Sequence, residues 1–168
     1  MASSTRKRNL VQFLSLIVAV LLIVAGSIAF QKWWNDRPGP DPHSVTLRAA
    51  AGSQKIEVSP YTVCEAGVEC PQGTVPEIAL GGDGSLKLEL PEEVYDHDWS
   101  LLKIYDDPAA NDQTFYKGNE KKDVEIAATS ASGSRLVVVE VSSLLIGKDA
   151  NGVETPYTVV WSVSAKQQ

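Results

Sequence analysis

The chain has 168 residues and a net charge of −6, but the charge is unevenly divided. Residues 1–35 hold four cations and no acid, and residues 36–168 hold 11 cations against 21 acids, a charge of −10. The 133 residues of the second part suit one domain with one core and leave no room for a multidomain enzyme. An acidic domain without clustered Lys and Arg excludes nucleic acid as a partner, and 43% hydrophobic residues exclude a disordered chain.

Residues 1–9 read as a basic tail. Leu10 to Phe30 follows with 21 residues and no charge, LVQFLSLIVAVLLIVAGSIAF. At 1.5 Å per residue this helix reaches about 32 Å, enough for a bilayer core of about 30 Å. Arg6, Lys7 and Arg8 ahead of it predict a cytoplasmic N-terminus, and Trp33 and Trp34 behind it sit where an interfacial aromatic belt belongs. The expectation is an uncleaved anchor in the cell membrane with everything after it exported. The alternative is a signal peptide cleaved near Ser27-Ile28-Ala29, giving a secreted domain, although signal cores are shorter than this run. Residues 31–43 read as an aromatic and Pro-rich linker, since Pro38-Gly39-Pro40-Asp41-Pro42 favours extended chain and forbids helix.

From residue 44 to 168 short β-rich runs alternate with turn signals. Ser44–Ala50 and Gln54–Ser59 predict a hairpin across Ala-Gly-Ser. Glu77–Leu80 is a short strand, and Gly81-Gly82-Asp83-Gly84 marks a turn. Leu86, Leu88 and Leu90 alternate with charge, the pattern of a half-buried strand. Ser100–Tyr105 is expected to turn Leu102 and Ile104 inward. Gln113–Tyr116 is a weak strand signal, and Val124, Ile126 and Ala128 alternate again. Arg135–Ser142 is apolar on both faces and predicts a central strand. Asn151-Gly152 predicts a hairpin into the last strand, where Tyr157, Val159, Trp161 and Val163 alternate. The fold class is mainly β: one transmembrane helix, then an immunoglobulin-like antiparallel β-sandwich, with a small β-barrel as the alternative. Trp99 and Trp161 are the large core fillers.

Ser59–Pro76 is the longest irregular stretch and holds both cysteines. In an exported domain Cys64 and Cys70 are expected to form a disulfide, since two cysteines alone cannot complete a zinc site.

The order of these features resembles a known family. A hydrophobic span and Pro-rich linker lead to Ser59-Pro60-Tyr61-Thr62-Val63-Cys64 with a second Cys soon after. Leu86–Pro91 (LKLELP) then runs to Trp99, Leu136–Val141 (LVVVEV) follows, and the chain closes on Trp161-Ser162-Val163. The whole set, over roughly residues 44–164, looks like the actinobacterial envelope proteins grouped as domain of unknown function 2771. The resemblance implies a place in the cell envelope and no catalytic residues. Many relatives are lipoproteins; this chain departs from them in lacking a Cys at the end of the apolar run.

Few residues suggest chemistry. Asp96-His97-Asp98, an acid-flanked His, is the first candidate ligand or partner contact, and Tyr61 beside the cysteine loop is another. The bland alternative for the former is an exposed loop. Glu92 and Glu93 follow a strand end and read as a solvated turn. Asp83, Asp106, Asp107 and Asp149 lie in expected loops, and Asp149-x-Asn151-Gly152 looks like the start of a calcium loop but lacks its remaining ligands. Phosphate loops, nucleophile elbows and zinc-helix motifs are absent, so no catalytic residue, metal or cofactor is expected. The leading expectation is a non-catalytic, membrane-anchored accessory protein of cell-envelope assembly that binds an envelope protein or a glycolipid precursor. A lipid or small-ligand carrier, with Val137, Val139, Trp99 and Trp161 lining a space between the sheets, is the first alternative. An envelope hydrolase using loop carboxylates is the second.

Overall fold

A computed structural model describes residues 3–35, 41–81 and 84–167. Two compact units divide at residues 39 and 40. The first is a helix, α1 (Ser3–Asn35). Within it Phe13–Trp33 is a 21-residue stretch of mean hydropathy 2.8, long and apolar enough to cross a membrane. Its side chains are apolar on every face and all exposed, as in a span that uses lipid to cover them.

The second unit holds ten strands in two sheets. The four-stranded sheet contains β1 (Leu47–Ala51), β2 (Gln54–Val58), β5 (Ser85–Glu89) and β8 (Asp123–Ala127), in the order β2-β1-β5-β8. The six-stranded sheet contains β3 (Thr62–Glu65), β6 (Trp99–Tyr105), β7 (Asp112–Tyr116), β9 (Leu136–Lys148) and β10 (Glu154–Gln167), in the order β3-β10-β9-β6-β7. Its sixth strand, β4 (Glu77–Leu80), pairs in parallel with the end of β10, beside the stretch of β10 that β3 occupies. Every other strand pair is antiparallel. The sheets remain two layers over one core and do not close into a barrel.

The alternating strands bury the side chains their pattern indicates. Leu86, Leu88, Val159, Trp161 and Val163 are all at most 2% exposed. The indole Nε1 of Trp161 donates to the Val45 carbonyl at 2.8 Å, fastening β10 to the segment that enters β1. At one corner the sheets are linked by a side chain: Ala79 N of β4 donates to Gln54 Oε1 of β2 at 3.1 Å. The Gly81–Gly84 turn forms with Gly84 N donating to Gly81 O; Gly82 and Asp83 lie outside the described residues.

Several strands depart from the sequence-based expectation. In β6 the inward residues are Trp99, Leu101 and Tyr105, and Leu102 and Ile104 face the other way. Both sets are apolar, so alternation alone does not fix the phase; burying two large rings does. A bulge where β6 meets the start of β9 skips Val137, which is 39% exposed while Val139 is 1% exposed. Val137 therefore does not share an inter-sheet space with Val139, Trp99 and Trp161. Glu92 and Glu93, expected in a solvated turn, open a single helical turn, α2 (Glu92–Tyr95), pinned by fully buried Val94.

The β9–β10 hairpin closes through a five-residue loop built on Asp149. One carboxylate oxygen accepts from Asn151 N and Val153 N, both at 2.8 Å. Gly152 takes φ +79°, a left-handed value that glycine adopts without strain. The carboxylate suspected of starting a calcium loop is thus engaged in holding a turn.

Cys64 and Cys70 are joined, with Cα atoms 5.2 Å apart. The bridge anchors the 65–76 loop to β3. Loop-closure entropy for a ring of this size is worth roughly 2 kcal/mol. Replacing both cysteines with serine should lower unfolding stability by about that much, read from denaturant unfolding with the slope fitted for each protein, since the freed chain unfolds to a less compact state. Alkylation of the native protein should find no free thiol; two alkylated cysteines would contradict the bridge.

Candidate functional site

The loop residues first singled out do not assemble into a reactive centre. After α2 the chain turns through Asp96, His97 and Asp98, held by Asp96 N to Glu92 O and His97 N to Val94 O. The His97 ring contacts the Asp96 carboxylate. Asp98 turns to the loop after β7, accepting from Lys117 Nζ at 2.7 Å and Gly118 N at 3.0 Å. Asn119 N completes the clasp by donating to Tyr95 O at 2.6 Å. The triplet therefore splits between a local pair and a loop-to-loop clasp. Among the described residues no group of three His, Cys, Asp or Glu is placed to hold a metal ion.

Tyr61 lies elsewhere. Its N–H donates to Val160 O and its carbonyl accepts from Gly73 N, fixing it just before β3 at the opposite side of the sheet from β6 and β7. In α1, Trp33 is exposed and its ring centroid lies 6.0 Å from that of Phe30. Arg6, Lys7, Arg8 and Trp34 fall on α1 by sequence, and their side chains lie outside the described residues.

The acidic loops are organised by partners. Lys117 and the Gly118 N–H hold the Asp98 carboxyl below its usual 3.8. Arg135 does the same for Asp106, Lys103 for Asp112, and the Val153 N–H for Asp149. A carboxyl held low in the fold stabilises it above the unfolded value, and that contribution is lost as pH falls through the lower folded value. Lys103 and Lys117 are raised above 10.5 by Asp112 and Asp98, so their contribution is complete below 10.5 and is lost at higher pH. The denaturation midpoint should thus stay level from about pH 5 to about pH 10 and fall on both sides. A midpoint that rises on acidification below pH 4 would contradict these pairings.

The two outer faces differ in chemistry, which only the strand register reveals. Across the four-stranded sheet one row runs Glu57, Arg48, Glu89, Asp123, and the next runs Lys55, Ala50, Lys87, Glu125. Lys87 Nζ also pairs with Glu89 at 3.1 Å. This is a solvated, charge-laced surface. Across the six-stranded sheet one row runs Phe115, Ser100, Ser142, Val160, Thr62, and the next contains Leu144, Thr158 and Cys64. Phe115, Leu144 and Ile146 are 74%, 52% and 51% exposed. This second face carries hydroxyls, bare apolar side chains and the Glu140 carboxylate, which stands in the row Gln113, Leu102, Glu140, Ser162, and the disulfide borders it. Phe115 was missed in the sequence because DQTFY has no alternation. An exposed aromatic beside a turn was the available signal.

A groove of about 440 Å³ lies at the Phe115 end of that face, bordered by Ser100, Ser142, Leu144, Thr158 and the Asp98–Lys117 pair. On the opposite, core-facing side of the sheet the rings of Trp99 and Tyr116 stack with centroids 4.3 Å apart. Trp99 is 3% exposed, and its buried Nε1 has no acceptor among the described residues. A second cleft, of about 410 Å³, is bordered by Arg48, Glu89 and Glu93.

With this geometry in place, comparison with known proteins adds two findings. A family model described as "Protein of unknown function (DUF2771)" matches residues 40–166, nearly the whole β unit. The uncharacterised protein Rv0875c of Mycobacterium tuberculosis is 24% identical over 163 residues, covering 94% of this chain and 97% of its own length. The uncharacterised protein Mb0899c of Mycobacterium bovis matches to the same extent.

Proposed function

Since the chain belongs to the DUF2771 family, whose description assigns no activity, we propose that it is a membrane-anchored extracytoplasmic accessory protein of the cell envelope. It binds its partner, an envelope protein or a glycolipid precursor, through the outer face of the six-stranded sheet. The observation that carries this is the contrast between the two outer faces. Water solvates the Glu57–Arg48–Glu89–Asp123 row without help, whereas Phe115, Leu144 and Ile146 on the other face leave apolar surface exposed, and covering it would recover a part of the roughly 1.5–3 kcal/mol that full burial of such a side chain is worth. Apolar side chains among hydroxyls, with Glu140 the carboxylate on the central strand, give this face a less charged composition than the other and suit a binding patch.

The Cys64–Cys70 staple suits an oxidising compartment, and the Phe13–Trp33 span supplies the tether. No pair of groups in the described clefts is arranged as nucleophile and base, which favours binding over catalysis.

A photoreactive residue placed at Phe115, and separately at Lys87, tests the assignment in intact membranes. The Phe115 position should give a discrete covalent adduct and the Lys87 position none. Adducts from Lys87 alone, or equal adducts from both, would contradict it.

A further inference from the structure

The β9–β10 hairpin outgrows the sheet that carries it. β6 accompanies β9 only as far as Ser143, and β3 lies beside β10 only from Tyr157 onward. From Ile146 to Pro156 the hairpin is a two-stranded ribbon with no third strand beside it among the described residues.

The two sides of the ribbon differ. On the side that Tyr157 faces, the entering chain is seated on it. Pro42 is buried there, so close that a Cβ on Gly147 would lie 2.6 Å from Pro42 Cγ and 3.0 Å from Tyr157 Cε2. The His43 ring stands edge-on to Tyr157 with centroids 6.2 Å apart, and Ser44 N donates to Asp41 O at 2.8 Å. On the other side Ile146 stands opposite Pro156, and both are exposed. Ile146 is 51% exposed, and Val153 in the connecting loop is 59% exposed. A two-stranded ribbon is marginal in water on its own, and an apolar side left bare adds to that cost.

We propose that this bare side is a membrane-contact surface, with Ile146, Val153 and Pro156 resting in the headgroup layer of the bilayer that α1 spans. The inference rests on the anchor reading above. It gives the hairpin end of the proposed binding face to lipid and leaves Phe115 and Leu144 to the partner.

The point of attachment selects lipid as the occupant. The chain enters the β unit at Pro42, on the ribbon itself. Seven Cα-to-Cα steps separate Asn35, the last residue of α1, from Pro42, and at 3.8 Å each they reach at most about 27 Å. The covalent chain therefore holds the ribbon near the bilayer whatever course the linker takes. A short tether makes contact an intramolecular event with an effective concentration of order millimolar, so a weak apolar contact is enough. A protein occupant would have to be brought there by other forces. The attraction is apolar, since the ribbon carries Lys148 against Asp149 and Glu154 and has no surplus of cations to draw it to anionic headgroups.

The test places the full chain in phosphatidylcholine nanodiscs in which some lipid carries a nitroxide on its headgroup. Amide signals of residues 146–156 should be broadened, and those of residues 130–135, which precede the far end of β9, should not. A second sample with the nitroxide on the acyl chain should broaden the Phe13–Trp33 signals, which reports insertion of the span. Ile146→Ser combined with Val153→Ser should weaken the broadening of the ribbon about threefold. Both side chains are exposed, so the signals of residues 136–143 should stay in place. Phe115→Ala should leave the broadening unchanged, and so should about 1 M salt, which screens charge but not apolar contact.

The inference is overturned if the ribbon is broadened no more than residues 130–135, or if salt abolishes the effect. It is also overturned if the double variant behaves as the natural chain does, since the tether alone would then account for the nearness. Broadening of the span without broadening of the ribbon would reject the lipid contact and keep the anchor. A span left unbroadened would reject the anchor and this inference with it.

Discussion

Trp161→Ala is expected to remove most of the folding stability of the β domain. The side chain is 1% exposed at the centre of the core, and truncating a buried Trp to Ala costs about 3–5 kcal/mol. The substitution also strips the Val45 carbonyl of its donor, and Val45 is itself 5% exposed, which adds about 1–3 kcal/mol. Against a typical total of about 5–15 kcal/mol, the sum leaves a domain close to its unfolding threshold. Trp161→Phe keeps much of the volume and loses the hydrogen bond, so it should cost distinctly less. Denaturant unfolding followed by near-ultraviolet circular dichroism measures both variants. A midpoint for Trp161→Ala indistinguishable from that of the natural chain would show that β10 is not packed as described.

Gly118→Ala should be the most damaging change available in a loop. A Cβ on Gly118 would lie 2.4 Å from the Asp96 carbonyl oxygen and 3.1 Å from its carbonyl carbon. The obstacle is backbone and cannot swing aside. The turn after α2 and the turn after β7 must therefore separate, releasing Gly118 N and Lys117 Nζ from Asp98. Overpacking of this kind costs about 1–3 kcal/mol, sometimes more. The damage should be local: amide exchange should quicken at residues 95–98 and 117–119 while the β9–β10 ladder stays protected. Uniform loss of protection, or none, would contradict the clasp.

Much of the fold is legible in the chain because one face of most strands is buried. Leu86, Leu88 and Leu90 and the Tyr157–Val163 series announce both the strand and its inward face, since period-2 burial leaves a period-2 pattern. The pattern fails where both faces are apolar, and so it does not fix the phase of β6 or show the bulge at Val137. It also fails for short elements. α2 has four residues, too few to show a helical period, and β4 owes its parallel place beside β10 to tertiary packing alone. The candidate site was less legible than the fold. Asp96, His97, Asp98 and Tyr61 draw notice for their chemistry, yet the structure sets Asp98 to bracing a loop, leaves His97 paired with its neighbour Asp96, and puts Tyr61 just before a distant strand. The hydroxyl and apolar face depends on which residues stand opposite one another across five strands, and no local pattern carries that information.

The account depends on which side of the membrane the β domain occupies. A membrane-impermeant amine-reactive label applied to intact cells answers this with the natural chain. Lys87 and Lys117 are well exposed in the β domain, and Lys7 precedes the span. Peptides containing Lys87 and Lys117 should be labelled in intact cells, and the Lys7 peptide should be recovered from the membrane fraction and become labelled only after lysis. A label on Lys7 with the domain lysines protected would reverse the orientation. A membrane fraction without the Lys7 peptide would mean that the span is removed and the domain is untethered.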